Sequence, residues 1–216
     1  AAAALGEGKK LYYANKEVYR LLRYGVKDKE GAGEQNQTVW LIDWHNPEAN
    51  DFAVAEEVSV QGEHKKRPDV VLYVNGIALG VIELKRSTVS LNEGIRQNLD
   101  NQDKVFIRDF FTSMQLVMAG NDTQGLRYGT IETPEKFYLE WKEEIENPYK
   151  HKLDFHLSRM CDKRRFLQLI HDFIVYDSGV KKTCRHNQFF GIDVAKQRIA
   201  NREGGIIWHT QGSGKS

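Results

Sequence analysis

The chain has 216 residues, 40% of them hydrophobic, and a formal net charge of +1. That is enough for one full domain and part of another, apolar enough for a packed core, and too nearly neutral for a global nucleic-acid-binding field. No apolar run approaches the length of a membrane span, residues 1–10 lack a secretory pattern, and Cys161 and Cys184 share no CxxC spacing, so a cytosolic protein with free thiols is expected.

With the alanine-rich start set aside, Val18, Leu21 and Leu22 predict a helix over 16–24, stopped at Gly25. A polar loop is expected over 27–37, then strands at 39–44, 52–60 and 69–74. Asn75-Gly76 is a strong hairpin signal, with 77–84 as the returning strand. One or two helices are expected over 91–111. Strands at 114–119 and 126–131 flank a polar turn at 121–125, and 137–141 reads as another strand. Composition changes near Asn147-Pro148. Beyond it, 153–176 reads as mostly helical, with Phe166, Leu169, Ile170 and Phe173 as a core stripe, and another helix spans 189–202. A short apolar strand at 206–208 leads into the final residues. The expected organisation is α/β: a mixed-sheet domain over 11–145, a helical connector over 146–183, and the start of a nucleotide-binding domain over 184–216.

The last residues, His209-Thr210-Gln211-Gly212-Ser213-Gly214-Lys215-Ser216, read as a phosphate-binding loop. Gly212 and Gly214 let the backbone wrap an anion, Lys215 suits the β/γ-phosphates, and the Ser216 hydroxyl suits Mg²⁺. His209 stands where the general pattern has glycine. A Gly/Ser tail is the bland alternative; the order of strand, glycines, lysine and serine favours the loop. The chain is accordingly expected to be the front of a larger ATP-driven protein.

The hairpin carries a second constellation. Asp69 follows Pro68, and Glu83 and Lys85, two apart on a strand, share a face. A hairpin on Asn75-Gly76 sets Asp69 opposite residue 82 or 83. Two carboxylates about 4 Å apart repel by ~4 kcal/mol at an effective dielectric near ~20, which demands compensation. Lys85 offsets part of this, and a divalent metal would offset more; hard oxygen ligands suit Mg²⁺. Such a metal polarises a phosphodiester and acidifies a bound water, with Lys85 stabilising the developing charge. The alternative is a salt-bridged hairpin at a sheet end. The clusters Lys65-Lys66-Arg67, Lys85-Arg86 and Lys163-Arg164-Arg165 are local patches that could contact DNA, though each alone is more often a solvated face, and Phe106, Phe110 and Phe111 fit core packing better than base stacking.

Pro68-Asp69 with Glu83-Leu84-Lys85 resembles the PD-(D/E)xK nuclease signature. Together with the downstream phosphate loop, the chain resembles the N-terminal part of the R subunit of type I restriction-modification enzymes, from Glu17 to Ser216. Val74 to Leu79 ahead of Val81 to Lys85 resembles the nuclease hairpin of that family, and Trp208 to Ser216 its first motor motif, in which the leading glycine is not required. The resemblance implies a restriction-endonuclease-like core, a helical connector and the beginning of a RecA-like motor. It implies cleavage of double-stranded DNA far from the recognition site, with Mg²⁺ and ATP as cofactors and separate methylation and specificity subunits as partners. Asp69 and Glu83 would bind metal with the Leu84 carbonyl, Lys85 would assist the water or transition state, and Gln97 would position the site. Glu17 on the first helix is a further acidic candidate. Gln188, in Arg185-His186-Asn187-Gln188, would read the adenine; Thr210, Gly212, Ser213, Gly214, Lys215 and Ser216 would hold the phosphates. Asn101 stands where the family often has tyrosine. A repair helicase-nuclease and a non-catalytic docking module are the competing readings.

Overall fold

The structure, a computed structural model, describes residues 11–29 and 37–209. Helix α1 (Leu11–Tyr24) starts earlier than the spacing predicts, because Leu11, Tyr12 and Ala14 extend its buried face. Its Asn15 side chain donates to the carbonyls of Phe111, Thr112 and Met114 at 3.0, 3.0 and 2.8 Å, fixing the helix to the body of the fold. Strands β1 (Val26–Asp28) and β2 (Gln37–Val39) pair antiparallel where a polar loop was expected. The strand expected over 39–44 is largely irregular. There the Asp43 carboxylate accepts from the N–H groups of His45 and Asn46, and such local capping competes with a strand ladder.

The main sheet has six strands: β3 (Phe52–Glu56), β4 (Val70–Val74), β5 (Ile77–Leu84), β6 (Leu116–Asn121), β7 (Gly125–Gly129) and β8 (Leu139–Glu140), in that spatial order. Neighbours are antiparallel except β5 and β6, which are parallel. A parallel pair needs a crossover, and helix α2 (Leu91–Asn101) supplies it, with the Ser90 hydroxyl capping its start. The helix expected to reach residue 111 ends at 101, and a 3-10 turn spans Arg108–Thr112.

Alternation along the strands splits the core between two faces. Val71, Val81, Val117 and Ala119 pack with Leu91 and Ile95 of α2 and with Phe111. Ile82, Leu116, Met118, Leu126 and Tyr128 face the other way, against α3 (Lys152–Met160) and α4 (Lys163–Phe173). The mixed sheet flanked by helices is therefore as expected.

Past α4 the chain departs from the sequence reading. A short hairpin, β9 (Val175–Asp177) and β10 (Val180–Lys182), replaces the end of the expected helix, and α5 (His186–Ala200) follows. The composition change at 147–148 marks no break in packing: Phe166 of α4 and Phe189 of α5 share one core with Tyr128 and Trp141. The strand expected at 206–208 does not form. Ile206, Ile207 and Trp208 are exposed, and among the described residues no strand pairs with them to satisfy their backbone groups. No helix among the described residues is long and apolar enough to cross a membrane.

Candidate active site

The site is built on the β4–β5 hairpin. Asn75 (φ 50°) and Gly76 (φ 76°) both take left-handed backbone, the requirement of a tight hairpin turn of the primed type. From the turn, Val74 pairs with Ile77 and Tyr73 with Ala78. The register then shifts by one residue, and Leu72 pairs with Gly80, Val71 with Val81 and Val70 with Ile82. This bulge settles which residue faces Asp69. Continuing the shifted register sets Asp69 opposite Glu83 rather than Ile82, and opposed residues in an antiparallel pair point to the same face. Asp69 Oδ2 also accepts from the Leu84 N–H at 2.7 Å, which draws the start of one strand onto the end of the other.

Glu83 is fully buried, and α2 covers it. The Gln97 amide donates to Glu83 Oε2 at 2.7 Å, while Lys85 Nζ donates to Gln97 Oε1 at 2.5 Å and lies 4.0 Å from Glu83 Oε2. One turn further along α2, Asn101 Nδ2 lies 3.4 Å from Glu83 Oε1. The Asn101 side-chain oxygen, Oδ1, is buried without a hydrogen-bond partner. Burial pushes the Glu83 carboxyl up to about 8, and the charge of Asp69 and a hydrogen bond to it act in the same direction. Lys85 and Lys66 oppose the shift without cancelling it. Burial beside a second carboxyl thus disfavours the charged form of Glu83.

Asp69, Glu83, Lys85 and Gln97 are brought together as the sequence suggested. Glu17 is not. It is exposed and paired with Arg20 of its own helix at 3.3 Å, and among the described residues no group of three or more His, Cys, Asp and Glu side chains forms. Gln188 lies elsewhere, where its Oε1 accepts from the Arg185 N–H at 2.8 Å and caps α5. It lines a cavity of about 620 Å³ with Phe173, Thr183, Cys184, Ile207 and His209. Thr210, Gly212, Ser213, Gly214, Lys215 and Ser216 lie outside the described residues. Phe106, read as core, is half-buried beneath the Lys66 ammonium, 3.9 Å from the ring centroid. In the sequence Lys66 stood out only as a member of the basic cluster Lys65-Lys66-Arg67. The grip of Asn101 on Glu83 had one usable signal, its position one helical turn after Gln97 on the same face.

A model of the family described as "Type I restriction enzyme R protein N terminus" matches residues 1–136, and one described as "SWI2/SNF2 ATPase" matches residues 187–216. Relatives include the type I restriction enzyme HindI endonuclease subunit of Haemophilus influenzae, 27% identical over 95% of this chain and 22% of its own length. Two putative type I restriction enzyme endonuclease subunits of Methanocaldococcus jannaschii are also similar. MjaVIIIP is 30% identical over 93% of this chain and 21% of its own length. MjaIXP is 26% identical over 93% of this chain and 23% of its own length. The chain therefore spans about a fifth of the length of these relatives. With the family match covering most of the chain, and a mixed sheet beneath it, the chain belongs to the family of type I restriction enzyme R protein N termini.

Proposed function

We propose that the β4–β5 hairpin carries the DNA-cleaving site of a type I restriction-modification R subunit. The observation that supports it most is the facing of Asp69 and Glu83 across the shifted register, with Glu83 buried and Lys85 beside it. The donor set fits Mg²⁺: two carboxylates from opposed strands, with the Leu84 carbonyl as a further oxygen. When bound, the metal supplies the charge that polarises a phosphodiester and acidifies a water.

The remaining chemistry falls to the side chains. Glu83 is held in orientation by Gln97 and Asn101, which fix the carboxyl that would hold the cation. Lys85 is held by the Gln97 carbonyl, close enough to stabilise negative charge developing on a phosphate. Gln97 therefore positions both the Glu83 carboxyl and the Lys85 ammonium.

The rest of the reading is functional organisation. The nuclease occupies residues 11–145, the connector 146–183, and a RecA-like motor begins at 184, which the SWI2/SNF2 match over 187–216 supports. Gln188, Thr210, Gly212, Ser213, Gly214, Lys215 and Ser216 would bind ATP. The substrate is double-stranded DNA in the cytoplasm, and methylation and specificity subunits read the sequence.

Calorimetric titration of Mn²⁺ into the wild-type chain, Asp69→Ala and Glu83→Ala tests the site, Mn²⁺ being a practical surrogate for Mg²⁺. Binding by wild type that both substitutions remove supports it. If Lys85→Ala in the assembled full-length enzyme still cuts DNA, the assignment fails. Absence of metal binding together with retained DNA or subunit binding would favour a docking module instead.

A further inference from the structure

The segment ahead of Asp69 is more rigid than its composition suggests. Val60 and Lys66 exchange two backbone hydrogen bonds, at 2.9 and 3.1 Å. The His64 N–H donates to the Val105 carbonyl at 3.1 Å, tying the segment to the turn that follows α2. A Cβ built on Gly62 would lie 1.9 Å from the Phe106 carbonyl oxygen, so the two segments touch backbone to backbone.

Lys66 closes this contact with its ammonium 3.9 Å from the Phe106 ring centroid. An aromatic face holds an ammonium in place and leaves its charge intact. The neighbouring cations are already engaged: Arg67 with Glu57 at 3.3 Å, and Lys85 with Gln97. Among the described residues no carboxylate makes an ion pair with Lys66 within 4.0 Å, yet its charge is felt at Glu83. A cation seated on a ring, in no ion pair among the described residues and three residues ahead of Asp69, suits a ligand that is itself anionic, and a compact ammonium suits phosphate oxygens.

We infer that Lys66, seated on Phe106, is a DNA-phosphate-binding residue of this site. It anchors the backbone of the duplex beside Asp69 and Glu83, and the inference rests on the nuclease reading given above. A residue that merely pins two loops together would leave the electrostatics of DNA binding unchanged, so the test is the salt dependence of binding.

The measurement is fluorescence anisotropy of a short duplex with the 216-residue chain over a range of salt, in EDTA so that no cleavage intervenes. Each phosphate contact contributes about 0.9 to the slope of log affinity against log salt. Lys66→Met keeps the stem on Phe106 and is expected to lower the slope by about 0.9, and Lys66→Arg to restore it. Thermal melting checks that each variant is folded; if Lys66→Met is not, Lys66→Gln takes its place. An unchanged slope in the folded neutral variant overturns the inference, as does a wild-type chain that does not bind the duplex. The Mn²⁺ titration distinguishes the two failures. Metal binding that needs Asp69 and Glu83, combined with an unchanged slope, overturns the role of Lys66 alone, whereas loss of metal binding strikes the nuclease reading itself.

Discussion

The side-chain amide of Gln97 donates to Glu83 across 2.7 Å, so a residue on a helix sets the orientation of a carboxylate on a strand. Its other end accepts from Lys85, and the amide cannot be removed without freeing both partners. Gln97→Ala is expected to lower cleavage by the assembled enzyme and Mn²⁺ affinity by roughly 10–100-fold, the usual cost of losing a group that orients a metal ligand. Gln97→Glu adds a third carboxylate beside Lys85 and Glu83, and is expected to slow cleavage further. Single-turnover cleavage rates for the two variants check the order.

Glu83 gives a pH dependence with a definite sign. An unperturbed glutamate titrates near 4.5, and in the fold this one rises to about 8. Between those values the native state holds a proton that the unfolded chain has lost, so metal-free stability falls as pH rises through the interval. Metal must displace that proton, so Mn²⁺ affinity is expected to rise about tenfold per pH unit below the native value. Thermal melts and metal titrations at two pH values read both effects, and Glu83→Gln is expected to flatten them.

Lys181 shows the opposite sign. It is 2% exposed on β10, donating to Asn15 Oδ1 at 2.8 Å, Gln115 Oε1 at 2.7 Å and the Met114 carbonyl at 3.1 Å. Burial holds its pKa well below the ordinary lysine value. Between the lowered native value and the unfolded one the unfolded chain binds more protons, so stability rises with pH until the unfolded lysine also loses its proton, near 10.5. Lys181→Met is expected to abolish that rise and, by orphaning Gln115 Oε1, to cost about 1–3 kcal/mol. Urea midpoints across alkaline pH measure both.

Gly62→Ala tests the close approach of the two segments beside the site. The new methyl group would meet the Phe106 carbonyl oxygen at 1.9 Å, and a backbone atom has little room to give way. A loss of about 1–3 kcal/mol is expected, as for other overpacked contacts. Chemical denaturation of the variant reads it.

The β4–β5 hairpin was legible because its signals are local: Asn75-Gly76, flanking apolar runs, and charges at fixed offsets. The hairpin β9–β10 was not, since its strands are three residues long and its inward residue is a lysine, which reads as exposed. Residues 206–208 had the apolar character of a strand but find no partner among the described residues, and character alone does not make a ladder. In the site, Asp69, Glu83 and Lys85 lie on or beside the two strands of one hairpin, so pattern alone could join them, whereas Gln97 on α2 entered through the family resemblance. Lys66 acquires its place through a contact with Phe106, and nothing in either residue's own neighbourhood of sequence announces that contact. Asn101 was legible only as a departure from a pattern, and its contact with Glu83 required the helix to be docked.

The one-residue register shift between Leu72 and Tyr73 makes the site a matter of parity. Deleting a single residue beyond the shift, such as Val81, would leave a hairpin that still pairs, still has its turn, and still carries Asp69, Glu83 and Lys85 in its sequence. Leu84 would then stand against Asp69, and both Glu83 and Lys85 would be turned toward the apolar layer of α3 and α4. Deleting Leu79 instead would remove the shift and leave Asp69 facing Glu83. Between Gly80 and Glu83, therefore, a change in length acts on the whole constellation at once, where a substitution acts on one member of it.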